Sequence, residues 1–184
     1  MTKEYVTLAD SCGNPAGRLE KLAAHQNGGA LHLGFSILVF NAAGQLLLQK
    51  RAAEKYHFAG LWSNSCCGHP RPGERVADAA ERRLAEEFGF TTTLQLIKTL
   101  NYQADDPRSG LTEREHLSIF VGGYNQEPRP NPVEIGDWRW EGLGDLERQA
   151  RQNPSQYTPW FLILIREIDL RAAADAACSG QTGR

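Results

Sequence analysis

Six segments carry the short apolar or alternating pattern of β-strands: Leu31–Phe40, Gln45–Lys50, Trp62–Cys67, Thr92–Tyr102, His116–Tyr124 and Asp137–Glu141. Most are rich in β-branched or aromatic residues and bounded by Gly, Asn or Pro, which end strands rather than continue them. Between the first two, Asn41-Ala-Ala-Gly44 reads as a hairpin turn, with Gly44 free to take positive φ. Two segments change to helical spacing. Glu74–Phe88 puts Val76, Ala80, Leu84 and Phe88 on one face and stops at Gly89, a C-capping residue. Thr158–Ala177 has Pro159 in its first turn, and Trp160–Ile165 is apolar nearly all round, as in a buried helix. Glu127–Pro132, with its prolines and asparagine, reads as an exposed loop. Strands with two interspersed helices predict an α/β sandwich of helix–sheet–helix type.

Composition narrows the class. The chain has 184 residues, which suits one domain, since domains commonly run about 100–200 residues. No repeat, low-complexity tract or linker divides it, so 1–184 is read as a single domain. Hydrophobic residues at 41% and charged residues at 23% are ordinary for a soluble globular protein and argue against disorder or coiled coil. A net charge of −2 speaks against a general nucleic-acid or anionic-membrane binder, while leaving room for a local basic cluster that holds a phosphate. The longest apolar stretch, Leu33–Phe40, is far short of the ~20 residues that span a bilayer, and the segment MTKEYVTLAD has no apolar core of a signal peptide. Cys12, Cys66, Cys67 and Cys178 are irregularly spaced and without a zinc-finger C-x2-C pattern. They are expected to be reduced thiols of a cytoplasmic protein. The Ala- and Gly-rich tail 172–184 is expected to lack fixed structure.

The chemistry gathers around the first helix. Gly68 and Glu74 stand in the order G-x5-E, followed after seven residues by Arg82-Arg83-Leu84-Ala85-Glu86-Glu87-Phe88-Gly89. Residues 83 and 87 are four apart and share a helix face. Glu86 and Glu87 offer the hard oxygen ligands that suit Mg²⁺, which often shares itself with substrate phosphates. Helix segments rich in Glu and Arg are most often plain solvated surface, but the flanking glycines complete a pattern. It resembles the Nudix box, which in its family binds a divalent cation against a diphosphate. One position departs from that family. Where the box reads Arg-Glu, this chain reads Arg82-Arg83, so a carboxylate used for phosphoanhydride cleavage is replaced by a guanidinium that can fork onto phosphate oxygens.

Further segments extend the likeness: Glu20-Lys21-Leu-Ala-Ala-His25, Leu31-His32-Leu33, Arg51-Ala-Ala-Glu-Lys55, Ser63-Asn-Ser-Cys66-Cys67-Gly68-His69-Pro70, Tyr102 through Glu113-Arg114-Glu115-His116, and Tyr157-Thr-Pro-Trp160. From about Glu20 to Trp160 the chain resembles the type I isopentenyl-diphosphate isomerases of the Nudix superfamily, which implies a Nudix-type α/β/α sandwich with a mixed sheet. On a strand Glu113 and Glu115 point to one side, and two carboxylates held together repel unless a cation or proton lies between them. The resemblance makes His25, His32, His69, Glu113 and Glu115 the ligands of one divalent metal, for which Mn²⁺, Mg²⁺ and Zn²⁺ are all suited. His57 and His116 are read as ordinary surface or satisfied histidines.

Alternation lets only one of Cys66 and Cys67 face a cavity holding His69, and Cys67 shares its parity. The resemblance makes Cys67 catalytic, with Glu115 opposite it and Tyr102 orienting that carboxylate. It also brings Lys21, Arg51, Lys55 and Arg83 to a diphosphate, Glu87 to a Mg²⁺ against the same oxygens, and Trp160 to a developing carbocation. The implied reaction is the interconversion of isopentenyl and dimethylallyl diphosphate. The implied partner is a small prenyl diphosphate, without nucleic acid or membrane, for a monomer or weak homodimer. The competing reading is a Nudix hydrolase acting on a nucleoside diphosphate derivative.

Overall fold

The computed structural model describes residues 3–55 and 57–179. In chain order the strands are β1 (Tyr5–Ala9), β2 (Pro15–Glu20), β3 (His32–Phe40), β4 (Leu46–Arg51), β5 (Trp62–Ser63), β6 (Cys66–Gly68), β7 (Gln95–Asp106), β8 (Leu111–Gly123) and β9 (Ile135–Glu141). The helices are α1 (Lys21–His25), α2 (Val76–Phe88), α3 (Leu143–Gln152), α4 (Pro159–Glu167) and α5 (Leu170–Ser179). None of the described helices is long and apolar enough to cross a membrane.

β3 is buried at every position, as expected of a strand covered on both faces. It pairs in parallel with β8, from His32 opposite Glu115 to Phe40 opposite Gly123, and antiparallel with β6, where Ser36 faces Cys67. β7 and β8 form a long antiparallel hairpin, while β4 carries β5 and β9. The result is one mixed sheet. Side chains of alternate parity separate its two cores. Leu38, Phe40, Leu117, Ile119 and Val121 pack with Leu146 of α3, Phe161 and Leu164 of α4 and Ala173 of α5. Phe35, Ile37, Val39 and Leu47 pack with Ala79, Ala80, Leu84 and Phe88 of α2. The predicted helix–sheet–helix sandwich is therefore what forms. Phe161 is wholly buried, so Phe161→Ala should destabilise the fold by about 3–5 kcal/mol, read as a lower denaturant midpoint at unchanged slope.

Four features differ from the sequence-based expectation. The strand predicted over Trp62–Cys67 is split, because Asn64 and Ser65 bond the backbone with their side chains: Asn64 Nδ2 donates to Ile37 O and Cys66 O, and Ser65 Oγ donates to Leu47 O and accepts from Val39 N. Such local competition replaces ladder bonds. The helix predicted over Thr158–Ala177 is two helices. Ile168 is extended, and Asp169 Oδ1 accepts the N–H groups of Arg171 and Ala172, which starts α5 afresh. The tail expected without structure is helical to Ser179, where Ala173, Ala174 and Ala177 are buried; its remainder, 180–184, lies outside the described residues. The hairpin β1–β2 and the helices α1 and α3 were not predicted.

Candidate active site

Strand register builds the floor of the site. Across β3 and β8 His32 lies opposite Glu115, and across β7 and β8 Tyr102 lies opposite Glu115. Glu113 and Glu115 share the face of β8 that carries Leu117 and Ile119, so both carboxylates are drawn inside, 4% and 6% exposed. Gly34 leaves room for one of them: a Cβ there would lie 2.4 Å from Glu115 Cδ. His25 arrives on α1, a helix of five residues held at its start by the Glu20 carboxylate, which accepts from Leu22 N and Ala23 N. His69 follows β6.

Hydrogen bonds set the tautomers. His25 Nδ1 donates to Lys21 O at 2.6 Å and His32 Nδ1 donates to Ala30 O at 2.7 Å, which turns each Nε2 inward, His25 Nε2 meeting Glu113 Oε2 at 2.9 Å. His32 Nε2 is buried with no hydrogen-bond partner and lies 4.0 Å from Glu113 Oε2 and 3.9 Å from Glu115 Oε1. Lone pairs and carboxylates aimed at one point repel unless a cation lies among them. One ligand atom from each of His25, His32, His69 and Glu113 falls within 4.8 Å of the others, and Glu115 Oε1 is 2.7 Å from His69 Nε2. The donor set fits a divalent metal.

Burial pushes His32 down to about 4 and His69 down to about 3, so both are neutral near pH 7. His25 moves the other way: burial lowers it, but the Glu113 carboxylate beside it outweighs burial and raises it. Burial alone would raise Glu113, but the hydrogen bonds from His25 and His57 outweigh it and hold that carboxyl well below its usual range. Glu115 is raised, first by burial and then by the Glu113 charge beside it.

In front of the cluster lies a cavity of about 790 Å³, into which Cys67, His69, Tyr102, Glu113, Glu115 and Trp160 all open. Cys67 Sγ donates to Asn64 Oδ1 at 3.1 Å and lies 3.5 Å from Ser36 Oγ. Burial raises the thiol to about 11 despite those two bonds. Cys66 has the other parity and sits wholly buried in the core beneath α2. All four cysteines are free. Tyr102 Oη donates to Glu115 Oε2 at 2.9 Å. Trp160, in the first turn of α4, donates Nε1–H to Ser63 Oγ at 3.0 Å and meets Phe58 edge-on, with ring centroids 5.0 Å apart. The Arg51 guanidinium lies 5.4 Å from the indole centroid.

Lys21, Arg51, Lys55, Arg83 and Glu87 line the same cavity. Lys21 pairs with Glu4 at 2.9 Å, Lys55 pairs with Glu134, and Arg83 pairs with both Glu87 and Glu134, the latter at 3.3 Å. Glu87 also accepts from Gln49 Nε2 at 3.1 Å. Glu4 and Glu134 are single polar residues outside any sequence motif, and Asn64, though inside the Ser63–Pro70 segment, had no role assigned from sequence. Of the two alternatives expected for His57, the structure shows the satisfied histidine and not the surface one: it is buried, its Nε2 is 2.6 Å from Glu113 Oε1 beside the site, and it is not among the four residues that come together to fit a metal. His116 does remain outside, with Nδ1 2.8 Å from Asn101 Oδ1.

Known proteins match this arrangement at two depths. The NUDIX domain pattern matches residues 30–161. The isopentenyl-diphosphate Delta-isomerase of Halorhodospira halophila is 50% identical over 165 residues, covering 89% of this chain and 94% of its own. The protein of the same name from Nocardia farcinica is 40% identical over 179 residues, covering 97% and 99%. Among solved structures, a protein from Deinococcus radiodurans superposes with a TM-score of 0.72 at 17% identity, over 89% of this chain and 98% of its own. At that identity the likeness concerns the fold.

Proposed function

The chain belongs to the Nudix family and, within it, to the isopentenyl-diphosphate Delta-isomerases; it is an isomerase, and we propose that Cys67 and Glu115 carry its proton shift from opposite sides of the cavity. The observation that carries this assignment is the meeting of a thiol, a Tyr-bound carboxylate and a tryptophan in one cavity backed by a metal-fitting cluster. A nucleoside-diphosphate hydrolase is the weaker reading. It needs neither thiol nor phenol, and Arg83 stands where its box places a metal-holding carboxylate.

The reaction moves a double bond. Adding a proton to the terminal alkene carbon of isopentenyl diphosphate leaves a tertiary cation, or something close to one, and removing a proton from the carbon on its far side gives dimethylallyl diphosphate. An acid and a base are therefore required on the two sides of the substrate, each worth about 10²–10⁴-fold. The Cys67 thiol, whose hydrogen is directed at Asn64 Oδ1, supplies one partner and Glu115 the other, with Tyr102 fixing the rotation of its carboxylate. Trp160 presents a π surface to the cation, and the buried walls of Phe58 and Trp160 keep out water that would trap it as an alcohol. A divalent ion held by His25, His32, His69, Glu113 and Glu115, with Mn²⁺, Mg²⁺ and Zn²⁺ all suited, would relieve the repulsion between the two carboxylates and keep Glu115 in place. Lys21, Arg51, Lys55 and Arg83 bind the diphosphate, and Glu87 would share a Mg²⁺ with its oxygens.

This enzyme works on a small prenyl diphosphate in the cytoplasm, without nucleic acid or membrane, as a monomer or weak homodimer. The near-neutral charge and the free thiols support the first points.

Incubation with isopentenyl diphosphate and Mg²⁺ in D₂O, followed by proton NMR and a phosphate assay, tests the reading. Deuterium should enter a methyl group of dimethylallyl diphosphate and spread with time, while inorganic phosphate stays at background. Phosphate release without deuterium on carbon would identify a hydrolase instead.

A further inference from the structure

We infer that His57 is a positioning residue for Glu113, turning that carboxylate toward the metal-fitting cluster. This rests on the metal site proposed above and goes one layer outward from it. The two oxygens of Glu113 have different surroundings. Oε2 faces the cluster, 2.9 Å from His25 Nε2 and 4.0 Å from both His32 Nε2 and His69 Nε2. Oε1 faces away and meets His57 Nε2 at 2.6 Å. A carboxylate on a flexible stem can rotate; an N–H bonded to one oxygen fixes where the other points.

The backbone around His57 is built for this delivery. His57 lies on the connection between β4 and β5, outside the sheet, and is nonetheless 7% exposed. The next residue, Phe58, holds φ at +50°, a conformation a bulky non-glycine residue keeps only where its surroundings impose it. Those surroundings are present. Phe58 N–H donates to Asp106 Oδ2 at 3.2 Å, and the Asp106 carboxylate is in turn held by Ser109 Oγ at 2.8 Å and Arg108 N at 3.0 Å. On the other side Arg51 Nη2 donates to His57 O at 3.2 Å. Both bonds hold the same His57–Phe58 peptide unit, and the imidazole just before it reaches the one oxygen of Glu113 that the cluster leaves over.

The test titrates metal-stripped full-length protein with Mn²⁺ and follows free Mn²⁺ by electron paramagnetic resonance. His57→Leu should bind Mn²⁺ about 10–100-fold more weakly, as loss of an outer partner of a ligand does. His57→Gln, whose amide N–H can reach the same oxygen, should recover most of the affinity, whereas the shorter His57→Asn should not. Should the leucine variant fail to fold by circular dichroism, the Gln/Asn pair decides alone. Wild-type affinity in His57→Leu or His57→Asn, or a Gln variant as weak as these, overturns the proposal. His32→Ala, measured in parallel, separates the two layers: if it alone loses Mn²⁺, the metal site stands and His57 only packs. If His32→Ala also binds as wild type, the metal site itself fails and the His57 inference with it.

Discussion

Cys67→Ala is expected to lower turnover of isopentenyl diphosphate by at least about 10²–10⁴-fold, the usual contribution of one acid or base, while Cys66→Ser stays within a few-fold of wild type. The two residues are adjacent in sequence and alike in chemistry, so the contrast isolates position. β6 pairs Cys67 with Ser36 and Cys66 with Ile37 on β3, and the faces of β3 lead to different cores. Ser36 lies on the cavity side with Cys67 at 3.5 Å, whereas Ile37 joins Cys66 in the core under α2. Removing the Cys67 sulfur takes away the proton-bearing atom and leaves the strand pairing intact. Serine at 66 places a hydroxyl in an apolar core, which costs stability before it costs chemistry. Initial rates at saturating substrate, with circular dichroism as a control on folding, read the difference. Equal losses in both variants with unchanged spectra would remove Cys67 from the mechanism.

What could be read from the sequence follows from where burial is one-sided. β3, β4 and β8 were visible because their apolar residues continue through the strand or alternate along it, and α2 because four apolar residues repeat on one face and end at a glycine. β2 was not visible: Pro15–Glu20 is exposed along most of its length, so no hydrophobic pattern marks it, and it forms because Tyr5–Ala9 offers a ladder. α1 is too short to display a period; its cap and the docking of His25 hold it. The split at Ile168 had a local sign in Asp169, a residue that starts helices, but the apolar run on either side outweighed it. The site divides in the same way. Residues inside specific motifs, such as Cys67 and His69, were legible. Glu134, which bridges Lys55 and Arg83, and His57, which reaches Glu113 across 56 positions of sequence, were not. Their roles arise from the fold of a loop, and one residue on a loop carries no periodicity.

Metal removal should abolish activity, and readdition of a divalent ion should restore it together with a measurable gain in thermal stability. Glu113 and Glu115 lie side by side at 4% and 6% exposure, and His32 Nε2 points between them with no hydrogen-bond partner. A buried nitrogen without a partner costs about 1–3 kcal/mol, and one of the two carboxyls must hold a proton to avoid two adjacent buried charges. A divalent ion removes both penalties. Because it binds the folded chain and not the unfolded one, metal at a hundredfold excess over Kd adds about 2.7 kcal/mol of stability, or about 5–10 °C in Tm for a domain of this size. His32→Ala should lower metal content and rate together and shrink that Tm gain, since the lost imidazole is a ligand and not only core. The sign distinguishes this from packing: were His32 merely filling space, the alanine variant would melt lower in the stripped form as well as the loaded form, and the metal-dependent gain would be unchanged. A stripped preparation with full activity would discard the metal site, and with it the account of how Glu115 is held.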